Sequence, residues 1–185
     1  GFAAGFNHLA ALQPHEIQAG ILKRLRGAPI DRHSERFGMR YQPVPPYNVL
    51  STDRIDFANM QRLARFARYW DLIANAGRFT ASLPLILGEA PFARFLALSD
   101  WLYAHTGQTH RIQLPRLFTL LHQALTKVLG VADNEVETAL ITDYKRSGQK
   151  GLPPFSGTVP NVIQKPVDGR SSIPVRQTRH QKSSH

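Results

Sequence analysis

Histidines are the first residues to consider for metal binding or acid-base chemistry, and the sequence has eight. His105 and His110 are five residues apart across Gly107, so they do not share one helical face, and no carboxylate stands at ligand spacing beside them. The other six are scattered along the chain: His8, His15, His33, His122, His180 and His185. The spacing therefore predicts no metal site, and we interpret these residues as surface or hydrogen-bonded histidines.

Known catalytic motifs are also missing from the sequence. It contains no Gly-x-Ser-x-Gly, no phosphate-binding loop and no Gly-x-Gly-x-x-Gly. Asp71 and Asp100 adjoin tryptophans, but carboxylates on helices usually act as caps or in ion pairs. A hydrolase that uses His105 and Asp100 is therefore the least favoured interpretation.

Residues 16–22 alternate only partly between polar and apolar side chains, but their short length and the breakers at either end favour a buried strand. Because strand side chains alternate, Glu16 and Gln18 would then point to the same side. If the strand belongs to an open barrel, these two residues and Lys23 at its end are the best candidates for the edge of a cofactor pocket. A helix over residues 16–25, with the same residues on its surface, is the alternative.

The chain around these residues is organised by a long helix predicted over residues 53–79. At about 100° per residue, its apolar side chains cover roughly half of the cylinder, so it should lie centrally in a bundle. Asp53 is the predicted N-cap. The opposite arc collects the polar face: Arg54, Arg62, Arg65, Arg68 and Tyr69.

Glycines predict where the helices of this bundle end. Counting the central helix, five helices are expected between residues 53 and 150, and they end at Gly77, Gly88, Gly107, Gly130 and Gly148. The predicted fold class is therefore mainly α, a bundle of about five helices preceded by a short α/β part over residues 1–30, which opens with a helix over residues 2–12. Residues 31–52 are a proline-rich connector. Residues 151–185, with five prolines and five serines, are a basic tail expected to be disordered or to lie along a partner.

Composition limits the classes of function. The formal net charge is +10, of which the tail carries +4. A solvated basic surface is the favoured explanation, and contact of Arg62, Arg65 and Arg68 with an anionic partner is the alternative. The absence of cysteine excludes disulfides and thiolate metal sites. No signal peptide and no membrane-spanning run is recognisable, so we expect a soluble, cytoplasmic protein. The first residue is Gly, which suggests a piece of a larger protein.

Several short sequence motifs in the chain resemble those of one known family. They are residues 12–29, Pro45-Pro-Tyr47, Ile55-Asp-Phe57, Met60-Gln-Arg-Leu63, Arg65-Phe-Ala-Arg-Tyr-Trp-Asp71, Phe92 with Phe95, and Ser99-Asp-Trp-Leu-Tyr103. Together they resemble the C-terminal part, a domain of unknown function, of radical S-adenosylmethionine proteins that carry a cobalamin-binding domain. The resemblance covers roughly residues 6 to 155.

This resemblance implies a larger parent protein with an N-terminal cobalamin-binding domain and a radical barrel whose cysteines hold a 4Fe-4S cluster. Residues 1–30 would be the end of that barrel, and residues 53–150 the appended helical domain. The missing barrel and cobalamin-binding domains would be its partners. With no cysteine, this chain can hold no cluster, so we expect no cofactor, no catalytic residue and no S-adenosylmethionine cleavage in it alone. A free-standing basic helical module that binds nucleic acid or an acidic protein is the alternative function.

Overall fold

The fold is mainly helical, as predicted. The computed structural model describes residues 1–25, 27 and 29–156. The α-helices are α1 (Phe2–Ala11), α2 (Phe57–Trp70), α3 (Leu83–Leu87), α4 (Pro91–Thr106), α5 (Leu114–Lys127) and α6 (Asp133–Arg146). A 3-10 turn (Pro29–His33) and two short antiparallel strands, β1 (Arg40–Tyr41) and β2 (Val49–Ser51), lie between α1 and α2. Among the described residues, no helix has the length and apolarity needed to cross a bilayer. The predicted disorder of the tail concerns mainly residues 157–185, which lie outside this description.

The N-cap of the central helix lies three residues later than predicted. Its cap is Asp56, whose carboxylate accepts a hydrogen bond from Asn59 N at 2.8 Å. Asp53 instead donates its backbone N–H to Phe37 O, which ties it to the preceding loop. After Trp70 the helix continues as a π-helical segment (Asp71–Asn75), in which Ala76 N bonds to Asp71 O. Asp53 was therefore the wrong cap, although the helical path itself reaches Ala76 as expected.

Tyr69 was predicted on the basic face of α2 but is fully buried. Its hydroxyl donates to Gln108 O, beyond the end of α4, at 2.9 Å and lies 3.3 Å from the hydroxyl of Thr106, the last residue of that helix. Because α4 packs along α2, the segment after α4 covers this side of the central helix. The buried face of α2 is therefore wider than the sequence indicated.

Aromatic rings join α1 to the core of the helical bundle. The Phe6 ring lies 4.9 Å from Phe66 and 4.8 Å from Trp70, both edge to face. Phe95 of α4 lies 5.0 Å from each of the last two rings. Such pairs contribute beyond simple burial. The first helix is thus part of the same hydrophobic core as α2 and α4.

A buried carboxylate fixes the start of α3. Asp143 of α6 accepts hydrogen bonds from the Ala81 and Ser82 backbone N–H groups, at 2.8 and 2.9 Å, and from the Ser82 hydroxyl at 2.7 Å. The helix that follows is short, and Pro84 lies in its first turn, where its missing N–H costs nothing. Asp143 therefore does for α3 what a local cap residue does elsewhere.

The strand predicted over residues 16–22 is not formed, and neither is the alternative helix. The segment is extended, and within residues 1–25, 27 and 29–156 it pairs only through an isolated bridge between Lys23 and Asn48. Val49 N donates to Leu22 O, and Arg24 N donates to Tyr47 O, both at 2.9 Å. A strand requires a partner along its length, and residues 47–49 pair only with its last residues. Upstream, Ile17 is buried, and its backbone bonds to the Asn75 side chain.

Candidate functional site

Glu16 and Gln18, predicted to line a pocket edge, lie side by side on the extended segment. The Gln18 Nε2 group donates to Glu16 Oε1 at 3.5 Å, and both residues are exposed. They border a shallow recess with Asp71 and Asn75 of the π-helical segment. Lys23 does not reach this recess, because it lies at the bridge to Asn48. The structure thus brings together two of the three predicted residues.

A cleft of about 630 Å³ opens next to Glu16, between the end of α1, the segment after it and α3. Its wall includes His15, Glu89 and Trp70. Trp70 is almost fully buried, and its indole N–H has no hydrogen-bond partner among the described residues. Asn75, also in the wall, already donates hydrogen bonds to Ile17 O and, at 2.8 Å, to the Asp71 carboxylate. The cleft therefore combines apolar walls with a few polar groups, which suits binding of a small molecule.

The three arginines predicted to contact an anion have different environments. Arg62 forms an ion pair with Asp100 of α4, with Nε 3.2 Å from Oδ2 and a closer contact from Nη2. This hydrogen bond raises the pKa of Arg62, so the guanidinium remains charged. The Arg65 guanidinium lies 4.5 Å from the centre of the Tyr103 ring. Arg68 is exposed. Two of the three are thus already engaged within the fold, and Asp100 acts in an ion pair as expected.

Tyr69 is the buried titratable group of this region. Removal from water raises its pKa above the ordinary value of 10.0, while the hydrogen bond with Thr106 acts in the opposite direction. The phenol is therefore neutral at physiological pH and serves as a hydrogen-bond donor. Its role is to hold the segment after α4 against α2.

Sequence spacing missed one group of possible metal ligands. His122 of α5, interpreted as isolated, faces Asp133 and Glu137 of α6. The two carboxylates are four residues apart, hence on one helical face, but His122 precedes Asp133 by eleven residues and belongs to another helix. A prediction that α5 and α6 form a helical hairpin would have placed these three residues close together.

Comparisons with known proteins give a family but no function. No curated protein and no solved structure matches the chain. The family model described as "Protein of unknown function (DUF4080)" matches residues 35–166, which is more than two thirds of the sequence. The match starts after α1 and the extended segment and covers the bundle from β1 to α6. The chain therefore belongs to this family of proteins of unknown function.

Proposed function

We propose that this chain is the C-terminal accessory domain of a radical S-adenosylmethionine enzyme of the cobalamin-binding type. The sequence motifs that resemble that family, from residue 12 to Tyr103, support the proposal. No cysteine is available to hold a 4Fe-4S cluster, so the cluster, the S-adenosylmethionine and the cobalamin would belong to other domains. The helical bundle would pack on the barrel and shape access to it, and it would carry out no chemistry itself.

The observation that carries this proposal is the open edge of the extended segment. One edge of residues 22–24 is paired with residues 47–49. Backbone groups of successive residues in such a pair point to opposite edges. In the described part of the chain, no backbone hydrogen bond reaches residues 18–21 or Lys23. An unpaired edge of this kind is a template for another strand.

Exposed leucines lie along the same segment. Leu12, Leu22 and Leu25 are 64%, 50% and 62% exposed, so three large apolar side chains of this part of the chain face solvent. The family match begins only at residue 35, after this segment. Both facts are expected if residues 12–25 belong to the end of the barrel, because a neighbouring barrel strand would then pair with the open edge and cover the leucines.

Hydrogen exchange tests this proposal once the coding sequence upstream is known. We expect the reading frame to continue upstream into a Cys-x-x-x-Cys-x-x-Cys motif. In the 185-residue chain, the amides of residues 18–21 and Lys23 should exchange at close to the unprotected rate. In the longer protein the amides of Ala19, Ile21 and Lys23, which alternate onto the open edge, should be protected by about 100-fold or more, while the amides of α4 exchange equally in both.

Two outcomes would overturn the proposal. One is an upstream reading frame without the cysteine motif. The other is strong protection of residues 18–21 in the 185-residue chain as a monomer, because the segment would then need no partner. Leu22→Ser in the longer protein should weaken the protection, whereas Val128→Ser, at another exposed apolar residue, should not.

A basic module that binds nucleic acid or an acidic protein is the second proposal, supported by the formal net charge of +10. Gel retardation of a DNA duplex over a salt series separates the two functions. A nucleic-acid-binding module should show tight binding that weakens steeply with salt. An accessory domain should show weak retention at low salt only.

A further inference from the structure

We propose that His122, Asp133 and Glu137 form a binding site for one divalent metal ion, with zinc as the best fit. The site would lie in the hairpin of α5 and α6, away from the open edge on which the proposed function rests. The inference is therefore independent of that function.

The geometry brings one nitrogen and two carboxylate groups to one point. His122 Nε2 lies 3.1 Å from Asp133 Oδ1, and one ligand atom from each of the three residues lies within 4.8 Å of the others. Asp133 and Glu137 are one turn apart on α6. The imidazole ring is held in place by Phe155, which stacks on it at 4.8 Å with an angle of 14° between the planes. The stacking thus fixes the orientation of the His122 ring before a metal ion binds.

The side chains of His122, Asp133 and Glu137 do not satisfy one another's hydrogen-bonding capacity. His122 Nε2 is buried and has no hydrogen bond of acceptable geometry, so its approach to Asp133 is close but poorly directed. The Glu137 side chain is half-buried and makes no hydrogen bond or ion pair with the described residues. Asp133 and Glu137 are like charges at positions i and i+4, which destabilises a helix. A divalent cation would satisfy the nitrogen and neutralise both carboxylates.

Interaction with the helix dipole is the competing explanation for the carboxylates. It is adequate for Asp133, which lies in the first turn of α6. It is weaker for Glu137, because the effect declines beyond that turn. It also gives no reason for a buried imidazole nitrogen that faces both acids. The metal site accounts for all three side chains together.

The donor set selects the class of metal. One imidazole nitrogen and two carboxylate oxygens suit zinc, with bonds of about 2.0 to 2.2 Å. Tetrahedral ligands at that distance are roughly 3.3 Å apart, close to the separation of His122 and Asp133, and a side-chain rotation would bring Glu137 in. Three protein ligands leave a fourth position for water, as in exchangeable or catalytic zinc sites rather than in closed structural ones.

Calorimetric titration of the metal-free 185-residue protein with zinc tests the site. We expect one saturable ion per chain and an increase in the thermal unfolding temperature with bound zinc. Glu137→Gln and His122→Gln should each weaken the affinity roughly tenfold or more. Titration with Co²⁺ should give a visible absorption band that the same variants lose.

Matched controls separate this site from other zinc binding. Glu135→Gln changes an exposed acid of the same helix, and His105→Gln changes an exposed histidine. Both variants should bind zinc like the unmodified protein. Circular dichroism checks that each variant is folded. No saturable binding by the folded protein, or binding that Glu137→Gln leaves unchanged, would overturn the proposal. The second result would also expose adventitious binding by His180 and His185, which every variant retains.

Discussion

Asp143 is a fully buried carboxylate that accepts three hydrogen bonds from residues 81 and 82. Hydrogen bonds to a charged group are stronger than neutral ones, and each donor left unpaired in the core costs further free energy. We therefore expect Asp143→Ala to lower the free energy of unfolding by about 3 kcal/mol, measured by urea denaturation. The exposed control, Glu135→Ala, should change it by less than about 0.5 kcal/mol. Equal effects of the two variants would contradict the proposed role of Asp143.

Tyr69 gives a prediction about alkaline pH. Its pKa is raised in the folded protein, so above about pH 10 the folded state holds more protons than the unfolded state. The contribution of Tyr69 is therefore complete below pH 10 and is lost as the pH rises through the raised value. Tyr69→Phe should cost about 1 kcal/mol at neutral pH, because it removes the bond to Gln108 O.

The pH series provides the test of this residue. Between pH 9 and pH 11, the free energy of unfolding of the unmodified protein should fall more steeply than that of Tyr69→Phe. Tyr103→Phe is the control, because Tyr103 is 39% exposed and its ring remains available to Arg65. A parallel decline of all three proteins would show that Tyr69 does not titrate differently on unfolding.

At the scale of elements, Arg94 joins the ends of two helices. Its guanidinium donates to Leu85 O and Ile86 O of α3, at 2.9 and 3.0 Å, and to Leu129 O after α5 at 3.3 Å. It thereby satisfies carbonyl groups that helix ends leave without partners. Gly88 permits this arrangement, since a Cβ there would lie 2.8 Å from Arg94 Nε.

Gly88→Ala should therefore destabilise the fold for two reasons. Its φ of +48° strains any L residue, and the new methyl group would displace Arg94 from its acceptors. We expect a loss of about 2 to 3 kcal/mol in urea denaturation. Gly107→Ala, at φ +65° with open space around it, should show only the strain, about 1 kcal/mol. Equal losses in the two variants would rule out a contribution from Arg94.

Helix ends were predictable from the sequence because they depend on local backbone conformation. The glycines that follow α3 to α6 all adopt positive φ in the structure, as does Gly77 after the π-helical segment. The start of α2 was harder, since Asp53 and Asp56 are both chemically suited to cap it. The contact of Asp53 N with Phe37 O, from a distant loop, decides between them.

Features that depend on contacts between elements were not predictable. The capping of α3 by Asp143 joins residues more than sixty positions apart, and no local sequence pattern predicts it. The cluster of His122, Asp133 and Glu137 requires the hairpin of α5 and α6 to be in place. The strand over residues 16–22 was expected from composition alone, but pairing depends on a neighbouring strand that the described part of the chain does not supply.

The positively charged residues of the molecule are not equally available to bind phosphate groups. Residues 157–185 hold five Lys and Arg against one Asp. On α2, Arg62 is paired with Asp100 and Arg65 lies over Tyr103, so neither is free to neutralise a phosphate without losing that contact. Non-specific affinity for DNA comes from cations that can release counterions on binding. The tail should therefore dominate any such affinity at low salt.

A variant with glutamine at Lys165, Arg170, Arg176, Arg179 and Lys182 tests this distribution of charge. Each phosphate contact contributes about 0.9 to the slope of log affinity against log salt, so losing five cations should reduce the slope by up to about 4.5. Fluorescence anisotropy of a labelled duplex over a salt series measures it. The double variant Arg62→Gln with Arg65→Gln should leave the slope nearly unchanged and remain folded, because the Arg62–Asp100 ion pair and the Arg65–Tyr103 contact should each contribute about 1 kcal/mol or less to stability. A larger effect from the double variant would instead identify α2 as the anion-binding surface and would favour the nucleic-acid-binding module over the accessory domain.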